Sequence, residues 1–146
     1  MSIEDYERAY KLGKKEYQHR MLRGENPTLE VLDDILPPKG QYSEIPLGLV
    51  EIPVDQIVGT KTNGRSNAFA SNFMPILDQD TEFSEKWANL STSHVQEGIR
   101  ESIKAYEYMN RFYVEEGNKR VSVMKFFGVP FATGDVTRLI PRRSED

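Results

Sequence analysis

Apolar side chains recur at helical spacing from the first turn of the chain. Tyr6, Tyr10, Tyr17 and Met21 fall on one face, so the pattern predicts an amphipathic helix over residues 3–23. Ser2 followed by Asp5 resembles a capping box at its start, and Gly24 closes it. The tyrosines read as packing residues rather than as chemistry. Asn26 and Pro27 predict the opening of a shorter helix with Leu29, Leu32 and Leu36 on one face, which Pro37 and Pro38 end. Together these form a helical arm, and "KGQYSEIPLG" reads by composition as a linker. The expected organisation is therefore an arm and linker over residues 1–46, a main domain over 47–141, and a polar tail over 142–146.

The period then changes. In "LVEIPVDQI", Val50, Ile52 and Val54 alternate with polar or proline positions, which predicts a half-buried strand with Pro53 on an edge. "GTKTNGRSN" has no apolar period and concentrates Gly59, Asn63, Gly64 and Arg65, so Arg65 is presented by irregular backbone. In "FASNFMPIL", Phe69, Phe73 and Met74 either wall a nucleobase or plug the core. "TEFSEKWANL" predicts a helix capped by Thr81, with Phe83, Trp87 and Leu90 on its buried side. The next stretch is ambiguous. Val95, Ile99, Ile103, Tyr106 and Tyr113 suit one helical face, yet "IKAYEYMNRFYV" is rich in strand formers and has Asn110 at a plausible turn. "NKRVSVMKFFG" is clearer: Val121, Met124 and Phe127 share a helical face, Gly128 is a stop and Pro130 prevents continuation. A last strand, "DVTRLIP", follows.

Where a strand-like run meets this last helix stand Gly117, Asn118, Lys119 and Arg120. Glycine permits a sharp turn and a close backbone approach, and the free N–H groups of a helix start favour an anion. Lys119 and Arg120 add positive charge. The pattern reads as a phosphate cradle, and equally as a surface turn with solvated basic residues.

Composition removes several classes of chemistry. The chain has 146 residues, enough for one cored domain with an extension. It contains no cysteine, which excludes disulfides and thiolate chemistry, and its two distant histidines, His19 and His94, argue against a zinc site, so no metal site is expected. No apolar run is long enough to span a membrane and the N-terminus is charged from the start, so a cytoplasmic setting without a membrane partner is expected. A net charge of −4 is unsuited to non-specific nucleic-acid binding, although Arg138, Arg142 and Arg143 leave room for a local basic patch. The polar end without a final element fits a domain cut from a longer protein.

In the order of its parts the chain resembles the ParB and sulfiredoxin-like superfamily. The likeness is carried by "VEIPVDQI", "NGR", "EFSEKWANL", "EGIRESIKAYEYMNRFYV" and "EGNKRVSVMKFFG", and covers roughly residues 48–141. It is most specific from Gly98 to Gly128, where the Ile103 strand, the Asn110 turn and the Gly117 turn fall in register, and that register favours a hairpin over a long helix. The resemblance implies an α/β (α+β) fold, a small mixed sheet with packed helices, with the N-terminal helical arm added. It also implies that Gly117, Asn118, Lys119 and Arg120 bind nucleotide phosphates and that Arg65 lines the same site.

The departures from the superfamily narrow the activity. Sulfiredoxins carry a cysteine in the glycine turn where this chain has Asn118, so reduction of sulfinic acids is excluded. ParB partition proteins have a glutamate and two arginines after the glycine, and their DNA-reading helices lie downstream of the matching region. Free-serine kinases of the superfamily use a carboxylate near the phosphates, for which Glu115 and Glu116 are candidates by proximity alone, beside the alternative of a solvated strand end. No carboxylate cluster supports a nuclease. The expected function is a nucleotide-binding regulatory or DNA-associated module of a longer bacterial-type protein, with DNA contacted through regions outside this chain. The alternatives are a slow NTPase or phosphotransferase with Mg²⁺ bridging the phosphates, and a non-catalytic interaction domain. In the last, the tyrosine-rich arm covers its own sheet or swaps onto a partner as a homodimer.

Overall fold

The computed structural model describes residues 2–142. The Ser2 side chain of the expected capping box, and Arg143 of the expected basic patch, lie outside what is described. The helix α1 (Ser2–Leu22) ends as the sequence predicts, with Gly24 at positive φ. Its buried stripe is narrower than the tyrosine spacing implies: Tyr6 and Ala9 are fully buried, Tyr10 and Tyr17 half-buried, and Met21 is 57% exposed. The Tyr6 hydroxyl donates to the Leu77 carbonyl at 2.6 Å, and its ring meets Trp87 edge-on with centroids 5.5 Å apart. At Gly13 a Cβ would lie 2.3 Å from the Pro75 carbonyl oxygen, so only glycine lets α1 approach this closely. The first helix thus lies on its own domain and shares its core.

The second expected helix is corrected. Glu30–Val31 form a short strand, β1, and only Leu32–Ile35 make one helical turn, α2. Leu29 and Leu32 are buried as expected, but the spacing of three came from a strand-then-turn path. Leu36 is extended (φ −69°, ψ 143°), as the residue before a proline must be. The expected linker is corrected too: a single strand, β2 (Tyr42–Pro53), runs through most of it, so the start expected near Leu47 falls mid-strand. A proline-containing run with a shift in register between Pro46 and Gly48 looks unlike a strand in sequence. An edge position tolerates both, because an edge proline has no ladder bond to lose. Pro53 is on that edge strand, as expected.

After a 3₁₀ turn at Val54–Gln56 come β3 (Ile57–Thr60) and the irregular loop that carries Arg65. The helix α3 (Glu82–Glu97) has Thr81 as its cap, buries Phe83 and Trp87, half-buries Leu90, and stops at Gly98. No continuous helix joins Val95 to Tyr113. Val95 is 67% exposed, and Ile103–Tyr108 and Arg111–Glu116 form an antiparallel hairpin, β4 and β5. Met109 and Asn110 both take positive φ (53° and 65°), the pattern of a two-residue hairpin turn. The helix α4 (Asn118–Phe126) and the strand β6 (Phe131–Pro141) complete the chain.

The sheet order is β1-β3-β5-β4-β6-β2, with β1·β3, β3·β5 and β4·β6 parallel and β4·β5 and β2·β6 antiparallel. The fold class is the expected one, a mixed sheet with packed helices. One core cluster joins α1 (Tyr6, Ala9), α3 (Trp87), α4 (Val121, Val123, Met124) and the strands; Phe69, Phe73 and Met74 belong to it, so the core reading of these three holds. A smaller cluster of Leu32, Tyr113 and Leu139 forms beside it. No helix among the described residues is long and apolar enough to cross a membrane.

Candidate phosphate-binding cleft

The turn from β5 into α4 is built around Gly117 (φ 112°, ψ 24°), a backbone state that L side chains rarely adopt. A Cβ there would sit 2.7 Å from Ile103 Cγ2 and 3.3 Å from the Arg120 guanidinium carbon, so sterics demand glycine a second time. No side chain caps α4, and its first turn holds no acidic residue. The N–H groups of that turn lie beyond the reach of any intrahelical carbonyl and are available to a ligand.

This helix start opens onto a cleft of about 630 Å³. Arg65, Glu115, Glu116, Gly117, Asn118, Lys119 and Arg120 all line it, so every residue singled out from the sequence is brought to one place. They do not share one role. The Lys119 ammonium lies 5.2 Å from the centroid of the Phe83 ring. Burial first, then Arg65 and Lys86, push its pKa below the ordinary lysine value, with Glu82 opposing. Three cations therefore converge here. Lys86 has a partner, Glu82, at 2.9 Å, and the Glu82 carboxyl is held below its usual pKa chiefly by that hydrogen bond. Among the described residues, neither Lys119 nor Arg65 has a carboxylate within ion-pair distance.

Arg120 is committed elsewhere. Its Nη1 donates to the Ser102 carbonyl at 2.7 Å and lies 3.6 Å from Glu101, and the side chain is only 17% exposed. It ties the segment before β4 to the first turn of α4, and so holds the rim of the cleft. Asn118 also turns inward: its Nδ2 donates to Thr60 Oγ1 at 3.2 Å, Thr60 Oγ1 donates to the Val114 carbonyl at 3.1 Å, and Asn118 Oδ1 is buried with no protein partner among the described residues. The Glu115 and Glu116 side chains are exposed at the end of β5. No three His, Asp or Glu residues among the described ones are grouped to hold a metal ion.

The sequence reading missed the opposite wall. Lys86, Asn89, Leu90 and Ser93 of α3 face the cleft, and the Phe83 ring lies beside them, while Phe69 backs the cleft from the core. Positions 86, 89, 90 and 93 have the i, i+3, i+4, i+7 spacing of one helical face. A solvated face has the same spacing, so only the approach of α4 distinguishes it. Of the arginines near the C-terminus, Arg138 is charge-paired, its Nε donating to Glu107 Oε2 at 2.9 Å, while Arg142 Nε donates only to the neutral Ser43 Oγ, at 3.4 Å.

No protein-family model and no curated protein sequence matches this chain. Among solved structures it is similar to the crystal structure of sulfiredoxin from Arabidopsis thaliana, a member of the ParB and sulfiredoxin-like superfamily. The two share 18% sequence identity with a TM-score of 0.42 over 60% of this chain and 82% of that one. That likeness assigns no residue of this chain a role.

Proposed function

We infer that the cleft at the start of α4 binds the phosphate groups of a nucleotide. On this reading the chain is a divergent ParB and sulfiredoxin-like domain acting as a regulatory module of a longer protein. One observation carries it: an uncapped helix start with two unpaired cations, Lys119 and Arg65, aimed at the same cleft. Positive charge in the first turn opposes the helix dipole, so the arrangement lowers the stability of the empty domain and becomes favourable when an anion arrives. Lys119, Arg65 and the first-turn N–H groups take the phosphates. Arg120 holds the rim and offers its remaining donors, since a guanidinium has five. Phe83 provides aromatic surface for a base, and Asn89 and Ser93 provide hydrogen-bonding groups beside it. Mg²⁺ enters with the phosphates rather than on a protein-built site. DNA contact is not assigned to this domain, because its net charge is −4 and Arg138 is paired.

A thermal-shift series with CTP, ATP, GTP, ADP and inorganic phosphate tests the reading. At least one nucleotide should raise the melting temperature more than phosphate does, and Lys119→Ala should remove the effect. No stabilisation by any of them rejects nucleotide binding. Glu115 and Glu116 on the same cleft favour one second reading, slow phosphoryl transfer or NTP hydrolysis. Phosphate release that is lost in Glu115→Gln or Glu116→Gln, with nucleotide binding kept, would establish it.

A further inference from the structure

The last turn of α4 borders a second cleft, of about 770 Å³, that shares no lining residue with the first. Three cations line it, and two have partners: Arg20 pairs with Glu16 (3.4 Å) and Glu25 (3.0 Å), and Arg111 lies 3.8 Å from Glu30. Lys125 is different. Its ammonium sits 5.5 Å from the centroid of the Phe73 ring, half-buried, with no hydrogen bond or ion pair among the described residues. Burial pushes its pKa below the ordinary value, and Asp55, beyond ion-pair distance, only partly opposes this. Withdrawing an ammonium from water without a carboxylate partner is unfavourable, so an anion brought to Lys125 would be favoured there.

A simple anion would leave the rest of the cleft unmatched. The carboxylates of Asp55 and Glu30 and the amide of Gln56 line it too. A ligand that satisfies both sets brings an acid group to the cations and hydroxyl donors to the carboxylates. We propose that this second cleft binds a small hydroxylated oxyanion of the hydroxy-acid type, its acid group on Lys125 and Arg111 and its hydroxyls on Asp55 and Glu30. The competing account is a lysine that simply lays its stem on the Phe73 ring and needs no ligand.

The test is an amide NMR titration of the whole chain carrying Lys119→Ala, which weakens the first cleft, at constant ionic strength, with the amides of Asn118 and Arg120 followed to report any binding there. The probes are tartrate (acid and hydroxyl), succinate (acid alone) and erythritol (hydroxyl alone). Tartrate should shift the amides of Lys125, Asn110 and Arg111 saturably. Succinate should bind about threefold to tenfold more weakly, the effect of one or two lost hydrogen bonds, and erythritol not at all. Lys125→Met should weaken tartrate by about tenfold or more. If that variant does not fold, Arg111→Gln at the exposed side of the cleft should weaken it by about threefold or more. The proposal is overturned if tartrate causes no saturable shift, if succinate binds as tightly, or if a folded Lys125→Met or Arg111→Gln variant keeps the parent affinity.

Discussion

Two helices of this domain begin in opposite ways. At the start of α3, Thr81 is extended, its hydroxyl accepts from the Ser84 N–H at 3.1 Å, and the Ser84 side chain returns a bond to the Thr81 N–H. Glu82 and Glu85 add negative charge to that first turn. At the start of α4 a left-handed glycine replaces the cap, and the first turn carries Lys119 and Arg120 with no acid. The first start caps its Ser84 N–H and suits the dipole, and the second does neither. Both helices bury side chains in one core, so the contrast does not reflect unequal support. Where a helix start serves only the fold, the chain closes it. Where it faces a cleft lined with cations, the chain leaves it open.

The largest expected effect comes from removing what both helices share. Trp87 of α3 donates from Nε1 to Ser122 Oγ of α4 at 2.8 Å, and its ring meets Tyr6 and Phe126 edge-on. Trp87→Ala should cost about 3–5 kcal/mol, read by urea denaturation, and loosen both starts together. Arg120→Ala comes next. It removes the bond to the Ser102 carbonyl and should cost about 1.5–3 kcal/mol of stability, the loss appearing in melts of the empty protein. A purely phosphate-binding Arg120 would leave those melts unchanged.

The two starts then separate. Thr81→Ala opens the closed start and should cost about 1 kcal/mol with nucleotide affinity unchanged. A change in affinity would show that α3 transmits strain to the cleft. Lys119→Glu performs the reverse experiment, placing an acid in the first turn of α4. It should stabilise the empty domain by about 0.3–1 kcal/mol while abolishing the thermal response to nucleotide. A loss of stability would mean that Lys119 contributes to the fold through its contact with Phe83.

The parts that were legible in sequence are those whose signals are local. Thr81 before an apolar period, Gly117 before Val121 and Met124, and Gly128 followed by Pro130 each mark a boundary within a few residues, and the structure has helix boundaries there. Regions governed by partners far along the chain were not legible. Glu30 and Val31 become a strand because they pair with Gly59 and Thr60, which no short window reveals. Residues 42–46 become a strand because β6 lies beside them, despite Pro46. The hairpin turn shows half its signal, since Asn110 suits positive φ and Met109 does not advertise it. The candidate site divides in the same way. Its α4 half is a contiguous motif, its α3 half is one polar helical face among others, and the engagement of Arg120 depends on Ser102, 18 residues before it.

On the proposed reading, the open start of α4 receives phosphate through Lys119 and Arg65. Calorimetric titration of the parent chain and of Lys119→Ala with the nucleotide that stabilises it best tests this most directly, with melts of both empty proteins run alongside. Affinity should fall by about tenfold or more, as expected for one charge-assisted contact, while stability changes by no more than about 1 kcal/mol. Unchanged affinity in a stably folded Lys119→Ala variant would contradict it and leave the basic turn as a solvated surface.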